Sequence, residues 1–197
     1  MKPFSQACEN NRQPILDVLR RVFSDRQGVL EIGSGTGQHA VYFARHLPYL
    51  QWQTSDLSEN LEGINAWLAA EPSANLLAPV MLNVKQPSWP ELVVDAVFTA
   101  NTLHIMSWES VTCFFSQIPV LFQGQQGTLA AYGPFNYQGN YTSESNARFD
   151  LWLKDQGAEC AIRDFEQVNA LAERAGLHLV EDNAMPANNR LLVWESA

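Results

Sequence analysis

The sequence has few cysteines and few basic residues. Its three cysteines, Cys8, Cys113 and Cys160, are far apart and show none of the spacings of a metal site. They therefore predict neither a disulfide framework nor a metal centre, and they suit a reducing compartment. Only 12 Lys and Arg oppose 21 Asp and Glu, which gives a formal net charge of -9. This balance argues against a nucleic-acid partner, because phosphates attract basic side chains.

Long apolar runs are missing as well. No stretch approaches the roughly 20 apolar residues that cross a bilayer, and the opening segment MKPFSQACENNRQP lacks the apolar centre of a signal peptide. We therefore expect a cytoplasmic protein without a membrane partner. Hydrophobic residues make up 46% of the 197 residues and charged residues 17%. These values are typical of a globular chain, and we predict one domain over residues 1–197.

Short apolar runs alternate with segments of helical periodicity along the chain. This order predicts an α/β, Rossmann-like fold with a mostly parallel seven-stranded sheet and helices on both faces. The last two strands are joined only by a loop, so the closing strand is expected to be antiparallel. The strands are predicted at residues 29–32, 50–55, 80–82, 96–98, 128–132, 177–180 and 191–194.

Capping residues predict where two of the helices begin. Asn11 and Pro14 favour the start of the first helix, since Asn caps well and Pro is tolerated in a first turn. Asp164 and Gln167 fit a capping box at the start of the last helix. Residues 1–27 are interpreted as a helical segment that precedes the first strand and folds over a ligand as a lid.

The stretch VLEIGSGTGQH carries three glycines directly after the first predicted strand. Ligands of such sheets bind beyond the C-terminal strand ends, where this loop lies. Gly33, Gly35 and Gly37 form G-x-G-x-G, whereas the dinucleotide fingerprint needs a further glycine where this chain has Gln38. A Walker-type loop needs a lysine after its glycines, and none follows here. The loop therefore favours neither a dinucleotide nor a bare triphosphate.

The same stretch resembles the first motif of class I S-adenosylmethionine (SAM)-dependent methyltransferases, including the acidic residue, Glu31, two positions before the first glycine. The resemblance implies that Asp56 binds the ribose hydroxyls and that Asn101 lines the methionine end. It places Asn83 beside the adenine, where that family has an acidic residue. We expect the Glu31 carboxylate to reach the loop amides or the methionine end of the cofactor. The implied cofactor-binding residues are Glu31, Gly33, Ser34, Gly35, Gly37, His39, Asp56, Leu57, Asn83, Val84, Asn101 and Thr102.

A narrower resemblance extends over the whole length. It rests on the stretches ENNRQPIL, SGTGQHAVYFA, QWQTSDL, NTLHIMSW, YGPFNYQGNYTSESNARFD, IRDFEQV and MPANN. In these the chain resembles the methyltransferase-like protein 26 family and its bacterial relatives. The resemblance implies a class I fold, SAM as methyl donor and S-adenosylhomocysteine (SAH) as product, and it supplies no acceptor.

Three residues near the expected cofactor each have two interpretations. His104, three residues after Asn101, is either a general base for an oxygen acceptor or a packing partner of Trp108. His39 is either a neighbour of the cofactor carboxylate or an ordinary first-turn residue. Arg12 is either a clamp for a carboxylate or a solvated surface residue.

Residues 134–146 are rich in Asn, Gln, Ser, Gly and Tyr, and are interpreted as a long functional loop. The loop follows the fifth strand, so we expect it to lie across the acceptor site. Its aromatic and amide side chains suit a small, weakly polar acceptor. The candidate substrate-binding residues are Arg12, Tyr132, Pro134, Phe135, Asn136, Tyr141, Asn146 and Asn188, with Arg148, Arg163 and Asn189 as further members of a polar wall.

The sequence therefore predicts a SAM-dependent methyltransferase that acts on a small-molecule acceptor without a metal. Two alternatives stay open, namely a non-catalytic SAM-binding protein and an NAD-dependent oxidoreductase, against which Gln38 argues. O-, N- and S-methylation share this scaffold, so neither the acceptor atom nor the oligomeric state is predicted.

Overall fold

Nine strands and six α helices alternate along the chain in a computed structural model that describes residues 2–196. The strands are β1 (Gly28–Ile32), β2 (Gln51–Asp56), β3 (Leu76–Met81), β4 (Ala96–Ala100), β5 (Thr128–Gly133), β6 (Phe135–Asn136), β7 (Arg163–Asp164), β8 (Leu177–Met185) and β9 (Asn189–Ser196). The helices are α1 (Gln6–Val22), α2 (Gln38–His46), α3 (Leu61–Ala70), α4 (Trp108–Phe122), α5 (Glu144–Gln156) and α6 (Phe165–Arg174).

Seven of the strands form one sheet in the order β3-β2-β1-β4-β5-β9-β8. The five strands from β3 to β5 in this order are parallel, and β9 is antiparallel to both β5 and β8. The prediction of a mostly parallel seven-stranded sheet with an antiparallel last strand is therefore confirmed. The strand order reverses between β1 and β4, which is where ligands bind in open α/β sheets.

The sheet separates two hydrophobic cores, so helices cover both faces as predicted. Alternate residues of a strand point to opposite faces, and β1 illustrates this, with Val29 in one core and Leu30 in the other. The core on the α1 and α2 face includes Leu19, Phe43 and Trp52. The core on the α4 and α6 face is built from residues such as Phe114, Phe115, Leu129, Val168 and Trp194.

The predicted start of the first helix and the predicted capping box of the last helix need correction. Helix α1 begins at Gln6, because the Ser5 hydroxyl caps it by accepting a hydrogen bond from the Cys8 amide at 3.4 Å. Asn11 lies inside the helix and is buried, since its side chain serves a tertiary contact rather than a cap. Asp164 is the residue before α6, but its side chain makes no capping bond there and instead accepts from the Gly139 amide at 2.9 Å. The predicted capping box is therefore wrong.

Part of the predicted loop at 134–146 forms regular secondary structure. It contains β6, which pairs in parallel with β7 to form a second, two-stranded sheet, and it ends in the first turn of α5. Two-residue strands leave no periodicity in a sequence, so this pairing was not predicted. No helix within residues 2–196 is long and apolar enough to cross a membrane.

Candidate functional site

The glycine loop joins β1 to α2 at the C-terminal edge of the sheet. The amides of Gly33 and Ser34 both donate to the carbonyl oxygen of Ser55, at 3.1 and 2.9 Å, which ties the loop to the end of β2. Gly33, Gly35 and Gly37 have φ angles of +74°, +57° and +88°. Side chains are disfavoured in this left-handed region, so the three glycines are required by the backbone path.

Asp56, the last residue of β2, holds the loop from the other side. Its Oδ2 accepts from the Gly35 amide at 2.7 Å, and its Oδ1 accepts from the Leu57 amide at 2.7 Å and the Asn60 side-chain amide at 2.8 Å. A carboxylate offers about four acceptor positions, so one stays free for a ligand hydroxyl. Leu57 beside it is 40% exposed and offers apolar surface.

Glu31 is buried inside the sheet and does not reach the loop amides. Its carboxylate accepts from the Trp52 indole nitrogen at 2.9 Å, and burial raises its pKa to about 7. The hydroxyl of Ser34 and the indole of Trp52 lower the pKa in part, while the charge of Asp56 raises it further. The expected contact with the loop amides is therefore corrected, because a buried carboxyl takes the nearest donor on the neighbouring strand.

We predict that Glu31→Gln changes how stability depends on pH. The folded protein holds the Glu31 proton to higher pH than the unfolded chain, whose carboxyl has the ordinary pKa of 4.5. The contribution is therefore complete below pH 4.5 and is lost as pH rises to about 7. Chemical unfolding across this range should show Glu31→Gln gaining stability relative to the wild type with rising pH. For the control Glu62→Gln, an exposed position, the curve of unfolding free energy against pH should run parallel to that of the wild type. A parallel curve for Glu31→Gln would contradict the raised pKa of Glu31.

Asn83 and Val84, which the resemblance predicts as cofactor-binding residues, lie after β3. Asn83 directs its side-chain oxygen to the Lys85 amide at 3.0 Å, which forms a local turn. Val84 is buried within the core on the α4 face. Thr102 packs against the loop, since a Cβ on Gly33 would lie far inside van der Waals contact with its Cγ2. The position of Thr102 thus supports the glycine loop rather than presenting its methyl group to a ligand.

The N-terminal segment is anchored on the residue that follows the glycines. The side-chain oxygen of Gln38 accepts from the Ser5 amide at 2.5 Å, and its side-chain nitrogen donates to Glu9 at 2.9 Å. The Trp67 indole donates to the Pro3 carbonyl at 2.5 Å. Gln38 thereby fixes the start of α1 against the loop. The sequence singled out Gln38 only as a missing glycine, although a buried amide at that place has four hydrogen bonds to satisfy.

His39 is buried beneath α1. Its Nε2 contacts the Asn11 side-chain oxygen at 2.7 Å, and its ring stacks on Phe43 with centroids 5.2 Å apart. Burial lowers the pKa of His39 to about 4, and the charge of Arg12 acts in the same direction. The ring is therefore neutral, and the Asn11 contact links α1 to α2. Burial raises the pKa of Tyr132, and the side chains of Asn11 and Asn189 lower it in part.

A second group of polar side chains lies where β4 and β5 end. Asn101 has a left-handed φ of 59°, and its amide donates to the Tyr132 carbonyl at 2.8 Å. His104 is 6% exposed, with its ring edge-on to Phe149 at 5.4 Å between centroids. Burial lowers the pKa of His104 to about 4, helped by the charge of Arg163. The polar tips of Asn101 and His104 both lie beside Gly133.

Arg163 holds the segment that carries His104. Its guanidinium donates to the carbonyl oxygens of Leu103 at 3.0 Å, of Glu159 at 2.8 Å and of Met106. Arg163, which was predicted as part of the polar wall, therefore has backbone carbonyls as its hydrogen-bond partners. The Arg163 charge also lies near the Trp108 ring, with 5.8 Å from Cζ to the centroid.

The remaining predicted residues occupy different surroundings. Arg12 pairs with Glu9 at 2.7 Å and covers the Tyr42 ring at 4.5 Å. Asn146 donates to the Asn188 carbonyl at 3.2 Å, which brings two predicted residues together. Tyr141 donates to Asp150 at 2.7 Å.

The start of the predicted acceptor loop is buried. Pro134 is buried, and the Phe135 ring lies in the core on the α4 face, a position that does not support contact with an acceptor. The side-chain oxygen of Asn136 is buried, and it has no hydrogen-bond partner among the described residues. Arg148 pairs at the surface with Glu144 at 3.7 Å. No group of three or more His, Cys, Asp or Glu side chains within the described chain could hold a metal ion.

A sequence profile of the family described as protein of unknown function (DUF938) matches residues 2–196. The chain belongs to this family. The description of this family names no activity.

Three solved structures illustrate the shared fold. An O-methyltransferase family protein from Burkholderia thailandensis aligns with a TM-score of 0.82 at 17% identity, covering 94% of this chain and 56% of that one. An O-methyltransferase family 2 protein from Planctomyces limnophilus, in complex with apigenin, aligns with a TM-score of 0.80 at 18% identity, covering 97% of this chain and 58% of that one. Human N-acetylserotonin methyltransferase in complex with SAM aligns with a TM-score of 0.74 at 14% identity, covering 94% of this chain and 56% of that one. This DUF938 chain thus has the class I methyltransferase fold and spans a little over half the length of these proteins.

Proposed function

We propose that the protein is a SAM-dependent methyltransferase that acts on a small-molecule acceptor. The observation that carries the proposal is the convergence of the glycine loop, Asp56 and Asn101 at the strand-order reversal. Their strands, β1, β2 and β4, are neighbours, so all three reach one edge of the sheet. Proteins of the same fold that bind SAM or SAH support this function. We further propose a relationship to the methyltransferase-like protein 26 family and a cytoplasmic location.

The residues at this edge fit the cofactor. Asp56 keeps one carboxylate acceptor position for a ribose hydroxyl, and exposed Leu57 offers apolar surface beside it. The glycine loop allows the cofactor to approach the backbone closely. The sulfonium of SAM supplies an already activated methyl group. The protein then has to align the acceptor and exclude water, and α1, which Gln38 anchors over the loop, is proposed as the lid within residues 1–27.

The Asp56→Asn variant tests cofactor binding. The change replaces one carboxylate oxygen by an amide nitrogen that faces backbone donors, and it removes the charge that strengthens a ribose bond. Loss of a charge-assisted bond is worth about 1.5–3 kcal/mol, or roughly 10- to 100-fold in affinity. Calorimetry with SAM, SAH and NAD should show SAM and SAH binding to the wild type and weakened binding to Asp56→Asn.

The matched control is Glu59→Gln, which removes an exposed negative charge three residues further on. Its affinity for SAM should equal that of the wild type. NAD binding without SAM binding would overturn the proposal in favour of an oxidoreductase. Transfer of labelled methyl groups from SAM into a small-molecule cell extract separates an enzyme from a non-catalytic SAM-binding protein.

The proposed acceptor is a small molecule, since one protein of this fold holds apigenin and another is named for N-acetylserotonin. His104 is proposed as the base that removes the proton of the acceptor, because its ring is neutral and nearly buried at the end of β4. Tyr132, Asn146 and Asn188 stay as proposed contacts of the acceptor.

A further inference from the structure

Gly133, at the end of β5, is a buried glycine that its backbone does not require. It is not among the residues with positive φ, so an L side chain is compatible with its conformation. A Cβ built there would meet two atoms within 4 Å in residues 2–196, His104 Nδ1 at 3.7 Å and Asn101 Oδ1 at 4.0 Å. Both are ordinary contact distances, so steric crowding does not require glycine either.

The two atoms beside Gly133 are polar, and neither has a hydrogen-bond partner within residues 2–196. No hydrogen bond within the described chain involves the ring nitrogens of His104, although the residue is only 6% exposed. Asn101 holds its side chain there at the cost of a left-handed φ of 59°, and such strain is concentrated at functional sites. Neither atom is among the fully buried side-chain atoms of the described residues that lack a partner, and Asn101 is only half-buried. Both atoms therefore stay accessible, and a ligand that reaches both groups explains the arrangement.

We propose that Gly133 is the specificity-determining residue of the acceptor site, and that the space beside it receives a hydroxyl or amine of the acceptor between Asn101 and His104. This inference rests on the proposed methyltransferase function. Asn101 Oδ1 accepts hydrogen bonds, and a neutral imidazole nitrogen accepts one as well. The group that fits is therefore a hydrogen-bond donor. An amine can donate to both atoms, whereas a hydroxyl has a single proton and donates it to His104. A carboxylate is disfavoured because it would place its oxygens against the Asn101 oxygen.

The same placement accounts for the transfer step. The acceptor oxygen or nitrogen forms a bond to the methyl carbon, and the bond between that carbon and the sulfonium sulfur breaks with its electron pair left on sulfur. The proton of the acceptor passes to the His104 ring. A methyl side chain at position 133 would occupy the place of the reacting atom without disturbing the fold.

Gly133→Ala tests the inference, with Gly124→Ala as the matched control. Gly124 follows α4 near the opposite end of β5, with a φ of +76° and nothing within 4 Å of an added Cβ. Gly133→Ala should keep the wild-type unfolding midpoint and SAH affinity but lose at least 10-fold in methyl transfer from tritiated SAM into a small-molecule cell extract. Gly124→Ala should show the reverse, a lower unfolding midpoint because alanine is strained there, with unchanged transfer.

The outcomes separate the two proposals. A wild type that labels nothing overturns the methyltransferase function and the inference together. An active wild type with an equally active Gly133→Ala overturns the inference alone, as does a Gly133→Ala variant with a lowered unfolding midpoint. Mass spectrometry of the labelled products should show methyl ethers or methylamines, and methyl esters would overturn the assignment of a donor group.

Discussion

His104→Ala is expected to lower methyl transfer by about 10²–10⁴-fold, the usual contribution of a general base. SAM affinity should be unchanged, since His104 lies at the end of β4 beside Gly133 and not on the glycine loop. The measurement is the rate of tritium transfer from SAM into a small-molecule extract, with calorimetry of SAM alongside. The exposed His178→Ala is the matched control and should be fully active.

The pH profile distinguishes a base from a packing residue. Burial and the charge of Arg163 lower the pKa of His104 to about 4, so the ring stays neutral and able to accept a proton well below neutrality. The rate of the wild type should therefore not fall between pH 8 and pH 6, where an ordinary histidine would begin to protonate. In His104→Ala the residual rate should rise with pH as the acceptor ionises. Full activity in His104→Ala would remove its role as base.

The fold could be predicted because its signal is repeated along the chain. Strands β1, β4 and β5 are short apolar runs, and the segments between the strands show helical periodicity. This alternation predicts a parallel sheet. Strand β2, QWQTSD, is buried although most of its residues are polar. The edge strand β3 is a further exception, since it was predicted only at 80–82. It begins at Leu76 and includes Pro79, which an edge strand tolerates because one side of its backbone has no partner.

The contacts of the site were less predictable because they depend on register and on distant segments. The sequence predicted that Glu31 reaches the loop amides or the methionine end of the cofactor. Its carboxylate instead accepts from Trp52, whose approach follows from the alignment of β1 with β2. Asn11 was read as a cap, and it is instead a partner of His39 on another helix. The sequence pattern did not single out Gly133, because a glycine at a strand end is common. Only the segment after β4 gives it two polar neighbours.

Gly33→Ala is expected to destabilise the protein most. Alanine would keep a left-handed φ of +74° and would place its Cβ against Thr102 Cγ2. The backbone strain costs roughly 1–2 kcal/mol and the overpacking about 1–3 kcal/mol more. Urea unfolding should therefore show a loss of about 2–5 kcal/mol in the free energy of unfolding, together with weaker SAM binding.

A second substitution separates the clash from the strain. Thr102→Ser removes Cγ2 and keeps the hydroxyl that bonds to Thr99, so it should recover the overpacking part of the Gly33→Ala loss and leave the strain. Gly35→Ala is the matched control, because Gly35 has a φ of +57° with nothing within 4 Å of an added Cβ. Gly35→Ala should lose unfolding free energy only through backbone strain, and adding Thr102→Ser should recover none of that loss. Equal recovery in both loop variants would show that Thr102 does not pack against Gly33, and that the glycines are set by backbone conformation alone.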